Sequence, residues 1–161
     1  MTKSKVEELL IEKISEKIKK DPFEYQAYKD MYDMCRQTCD MQLMAELCRW
    51  LEDAIPKAIG KAPDEEVIDM YKLHRKALRK AGIEDFDSYL QFVEFDREPE
   101  KKCYIPRRHV LLPIVHAMQD LIDDKLDLLT ISMPPGTGKS TLGIFFLTWV
   151  MGRFPHGQCL A

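Results

Sequence analysis

Residues 133–140 read Met-Pro-Pro-Gly-Thr-Gly-Lys-Ser. A polyphosphate needs many hydrogen-bond donors at short range and no bulky Cβ atoms in the way. Gly136 and Gly138 allow backbone conformations in which successive N–H groups turn inward as an anion nest. A helix starting near Lys139 would add the positive end of its dipole. The Lys139 ammonium is placed to reach the β- and γ-phosphates, and the Ser140 hydroxyl to ligate Mg²⁺ bridging them. Pro134 and Pro135 stiffen the approach and lower the cost of ordering the loop. The phosphate-loop pattern is Gly, four residues, Gly-Lys and Ser or Thr. Gly138-Lys139-Ser140 matches it, while Met133 stands at the first glycine position. The nucleotide expected is ATP.

Such a loop must be carried between a strand and a helix. Leu126–Met133 (LDLLTISM) is a short apolar run that fits a buried parallel strand. Pro134–Gly138 follows as loop and Lys139–Gly152 as helix, closed by Gly152 and Pro155. Gln158–Ala161 reads as the start of a second strand. The order implies an α/β P-loop NTPase, with residues 101–161 as the beginning of its ATPase domain. One strand and a stump cannot bury both faces of a sheet or pair its edges, so the sequence reads as a fragment of a larger protein.

The preceding hundred residues read as an all-α region, 1–100. Ser4 and Glu7 form a capping-box pattern, and Val6, Leu9, Leu10, Ile14 and Ile18 recur at helical spacing. Asp21-Pro22 is expected to stop one helix and cap the next, over Phe23–Arg36. Further helices are predicted over Met41–Ala54, Asp64–Ala81 (stopped by Gly82) and Asp87–Phe95. Residues 97–102 (REPEKK) form a charged joint, after which a helix is predicted over Pro113–Asp124, begun earlier and bent at Pro113 or starting there.

With 45% hydrophobic and 32% charged residues the chain has a globular rather than a disordered composition. A net charge of −3 excludes a polycation, leaving nucleic-acid contact to local basic clusters. The five cysteines, without a secretion signal, read as reduced thiols, not a disulfide framework. The longest apolar run, Leu142–Met151, is too short to span a bilayer, and the expected compartment is the cytoplasm.

Other candidates carry less. Asp123-Asp124 reads as a solvated helix end, and residues 92–96 (FVEFD) lie upstream on a helix, the wrong place for an acid that serves the loop. His109 and His116 lack ligand partners, and Arg75, Lys76, Arg79 and Lys80 follow a helical period as a solvated face. Arg107 and Arg108, just ahead of the loop, are candidates for touching nucleotide or reaching a neighbouring subunit's phosphates.

The stretch from about Phe86 to Ala161 resembles the large subunit of tailed-phage DNA-packaging terminases. The resemblance rests on the ISMPPGTGKS form of the loop, on Tyr104-Ile105-Pro106-Arg107-Arg108, and on Met118-Gln119-Asp120-Leu121 in the following helix. It implies an ATP-driven motor that moves double-stranded viral DNA into a preformed capsid. It also implies a C-terminal nuclease, a homo-oligomeric ring, a portal protein and a small terminase subunit as partners, no membrane, and a bacterial host cytoplasm. Pro134, Pro135, Gly136, Thr137, Gly138, Lys139, Ser140 and Thr141 would then bind ATP and Mg²⁺, with Lys139 the main catalytic group and Ser140 the metal contact. Tyr104, Arg107 and Arg108 would lie near the adenine or a subunit interface. The family's later acidic motifs have no counterpart in these 161 residues, so efficient hydrolysis or DNA cutting by this chain alone is not expected. Two alternatives stand beside it: an AAA+ or helicase-like ATPase such as a helicase loader, and a non-catalytic helical interaction module with a vestigial loop.

Overall fold

The computed structural model describes residues 5–156. They divide into two compact units, Met1–Ala81 and Gly82–Ala161. The 97–102 joint falls inside the second unit, where Pro99–Lys101 forms an exposed 3₁₀ turn.

The first unit holds α1 (Lys5–Lys20), α2 (Tyr25–Thr38), α3 (Met41–Ala58) and α4 (Asp64–Ala81). Apolar residues at three- and four-residue spacing make each helix one-sided. Met31 and Cys35 of α2, Met44, Leu47 and Leu51 of α3, and Met70, Ala77 and Leu78 of α4 are completely buried. Asp21-Pro22 does not cap α2. Asp21 Oδ1 accepts the Phe23 N–H at 3.0 Å, and the helix starts only at Tyr25. The short side chain of Asp21 forms a local turn, which satisfies the donor that a helix start would have used. The α2–α3 corner is tight. Cys39 is left-handed at φ 53°, and the Asp40 carboxylate accepts the Leu43 N–H at 3.0 Å as an N-cap. Ser4 lies outside the described residues.

The second unit holds α5 (Phe86–Glu94), a 3₁₀ turn at Ile105–Arg107, α6 (Arg108–Ile122) and α7 (Lys139–Arg153). Phe86, Leu90, Tyr104, Leu111, Val115, Met118, Leu142 and Trp149 form its core. Phe86 packs its ring 5.0 Å from Trp149 and 5.3 Å from Phe146, and Trp149 donates to the Gly82 carbonyl at 2.8 Å. α5 is capped twice: Asp85 accepts the Ser88 N–H, and Gln119 of α6 accepts the Phe86 N–H at 2.9 Å.

The expected α/β P-loop NTPase core is overturned here. The described residues form helices and no strand. Leu126–Met133 runs without regular structure between α6 and α7. A strand is defined by its ladder, and among the described residues this segment has no partner strand. Its side chains nonetheless alternate. Leu129, Ile131 and Met133 pack on the core while Leu128 is 81% exposed. The expected burial on both faces is therefore replaced by one covered face and one open face. The second expected strand, Gln158–Ala161, lies outside the described residues. None of the described helices is long and apolar enough to cross a membrane.

Tyr28 and Tyr104, two of the buried tyrosines, give the fold an alkaline signature. Burial, then the charges of Asp21 and Asp53, push the Tyr28 phenol up to about 12. Burial, then the charge and hydrogen bond of Asp87, raise Tyr104 further, against a smaller opposing effect of Arg108. Both groups favour the protonated form in the folded state. Their contribution to stability is full below the unfolded value of about 10 and is lost as pH rises towards the folded values. In an absorbance titration at 295 nm that follows the six tyrosines, Tyr28 should ionise only around 12. Ionisation of all of them in one step near 10, with helix content intact, would contradict these environments.

Candidate functional site

The loop 134–138 joins the extended segment to α7, and its conformation is set by two glycines. Gly136 has φ +79° and Gly138 φ +91°, both left-handed. Gly138 is required twice over: a Cβ there would also sit 2.6 Å from Cys103 Sγ. Thr137 Oγ1 donates to the Pro134 carbonyl at 2.7 Å and closes the turn. Gly138 is the N-cap of α7, and the first intrahelical bond runs from the Leu142 N–H to the Gly138 carbonyl. The N–H groups of Lys139, Ser140 and Thr141 therefore belong to the first turn, where a helix offers them no acceptor of its own.

These residues line an open cleft of about 780 Å³. One wall is Met133, Pro134, Pro135, Gly136 and Gly138, with Lys139, Ser140 and Thr141 at the helix start. The other wall is Cys103 and Arg107, and Arg107 Nη1 donates to the Gly136 carbonyl at 3.3 Å. Lys139, Ser140 and Arg107 are exposed. Two cations, first-turn amides and two left-handed glycines thus face one space. That is a donor set that could hold a polyphosphate, and the Ser140 hydroxyl is the protein oxygen in it that could ligate a divalent cation. The Arg107–Gly136 bond uses one of the five N–H donors of the guanidinium.

The three candidates in the Tyr104–Arg108 segment, Tyr104, Arg107 and Arg108, are split by the structure. Only Arg107 reaches the cleft. Tyr104 is buried at 1% exposure and donates its hydroxyl to Asp87 Oδ1, so its ring is not presented to a base. Arg108 binds the same carboxylate through Nε at 2.9 Å and Nη2 at 2.6 Å. The Asp87 side chain also accepts from Gln91 at 3.1 Å. Seven residues on, the fully buried Glu94 accepts the backbone N–H groups of Cys103 (2.8 Å), Tyr104 (2.9 and 3.0 Å) and Ile105 (3.0 Å). Sequence reasoning passed over Asp87 and set Glu94 aside with residues 92–96. The available signal was two carboxylates two turns apart on a helix otherwise rich in apolar residues.

Elsewhere, Asp123 and Asp124 end α6 in solvent, where Lys125 pairs with Asp120 at 2.9 Å and with Asp123 at 3.5 Å. His109 and His116 are exposed on α6. Arg75, Lys76 and Arg79 are exposed on α4. In the MQDL segment, Met118 is core and Gln119 caps α5. Comparison with protein-family models, with curated proteins and with solved structures finds no match to this chain.

Proposed function

We propose that residues 134–141, with Arg107 opposite, bind the phosphates of a nucleoside triphosphate and its Mg²⁺. The observation that carries this reading is the left-handed Gly136–Gly138 turn, which leads directly into the first turn of α7. Gly138 and the first-turn amides direct donors at one point, and Lys139 and Arg107 add two positive charges around it. Ser140 supplies a hydroxyl oxygen to a phosphate-bridged Mg²⁺. The metal, when bound, neutralises the developing charge on the phosphates. This chain's own part is to hold and orient them.

On the ISMPPGTGKS loop, the YIPRR segment and the MQDL helix, we further propose that the chain belongs to the motor portion of a DNA-packaging terminase large subunit, acting on double-stranded DNA with ATP. The support is the resemblance of those residues, not the fold.

The test is calorimetric titration of the full chain with MgATP. Saturable one-to-one binding is expected. Among the described residues no aromatic side chain lines the cleft, so inorganic tripolyphosphate with Mg²⁺ should compete within about tenfold of ATP, because stacking of a base on a ring is worth roughly 1–3 kcal/mol. An absence of MgATP binding would remove the reading.

A further inference from the structure

The two walls of the cleft share a single support. α7 is fixed to α5 by Phe86, which packs on Phe146 and Trp149. The opposite wall, residues 103–108, is fixed to the same helix by two carboxylates and not by apolar packing alone. Glu94 gathers three consecutive backbone N–H groups, from Cys103 to Ile105. Asp87 takes the Tyr104 hydroxyl and the Arg108 guanidinium. Between these anchors stands Arg107, the residue of that wall which crosses to the loop, at 3.3 Å from the Gly136 carbonyl. A charge with no water around it is stabilised only by its hydrogen bonds, so the position of this wall is dictated by where Glu94 can collect its donors.

Resting on the phosphate-binding reading, we propose that Glu94, seconded by Asp87, is a positioning residue for the site: it touches no ligand, and it sets the backbone of residues 103–105 so that Arg107 faces the phosphates. Glu94→Gln keeps the shape but turns one acceptor oxygen into a donor amide. That amide then meets the N–H groups of Tyr104 and Ile105. The nest must open on that side, and Arg107 is carried away from the loop.

A double-mutant cycle on the full chain separates this from a plain loss of stability. MgATP affinity is measured for wild type, Glu94→Gln, Arg107→Ala and the double variant, with thermal melting of each. Glu94→Gln should weaken binding about tenfold, the scale of one charge-assisted hydrogen bond. In the Arg107→Ala background it should weaken binding less than about twofold, since the group it positions is gone. Its effect on melting should be the same in both backgrounds. Equal weakening in both backgrounds, or none in the wild-type background, overturns the proposal. If Glu94→Gln does not fold, Asp87→Asn carries the same comparison. MgATP binding that Lys139→Ala abolishes and Glu94→Gln leaves untouched overturns this inference alone. A wild-type chain that does not bind MgATP overturns the phosphate-binding reading and this inference with it.

Discussion

A Lys139→Ala chain should bind MgATP at least about 10–100-fold more weakly than wild type, the scale of a hydrogen bond to a charged group converted to affinity. Lys139 is exposed at the mouth of the cleft and is the first residue of α7. Its removal costs the fold little, because the helix is held by Leu142 and Trp149 further along. Alanine is also a better helix former than lysine. The loss should therefore appear in affinity, with an unchanged melting curve. The residual affinity belongs to the amide nest and to Arg107, which are local and persist. Salt separates these contributions: the wild-type affinity should fall more steeply with ionic strength than the variant's, since one fewer exposed cation faces the ligand. Equal affinities for the two chains would detach Lys139 from phosphate binding.

Phe86→Ala is expected to be the most damaging single change to the second unit. Phe86 is fully buried and stands at the first position of α5, against Phe146 and Trp149. Truncating a buried phenylalanine costs about 3–5 kcal/mol. For a domain of this size that lowers the melting temperature by at least about 12 °C. Ile144→Ala is the control. Ile144 is on the same helix as Trp149 but is 60% exposed, and its truncation should stay within about 0.5 kcal/mol of wild type. Comparable losses for the two variants would mean that the aromatic cluster is not what holds α5 to α7.

What could be read from the sequence was what the chain decides locally. α4 occupies the expected span Asp64–Ala81, because its apolar period and the following Gly82 are properties of adjacent residues. The loop and the start of α7 at Lys139 were legible for the same reason. Leu126–Met133 was not, since a short apolar run marks a candidate strand but only a partner makes it one. The buried acids were hidden differently. Glu94 finds its donors nine to eleven residues downstream, on backbone N–H groups that carry no side-chain signature. Tyr104 and Arg108 looked like ligand contacts because an arginine's charge is visible in a sequence and its carboxylate partner is not. Asp87 lies 17 and 21 residues before them.

The nine residues of α5 also work as a gauge. Its apolar stripe, Phe86 and Leu90, faces the core that holds α7. Its acidic stripe, Asp87 and Glu94, faces residues 103–108. Each residue advances the helix by about 100°, so the angular phase between the two stripes is fixed by counting. Each of its nine residues is buried or half-buried, so no face of it is left to solvent. A single residue gained or lost between Leu90 and Glu94 would turn Glu94 by about that angle relative to the aromatic stripe, and the two walls of the cleft would no longer share a common reference. In evolutionary terms, the length of this short helix should be held as tightly as the identities of Phe86, Asp87 and Glu94.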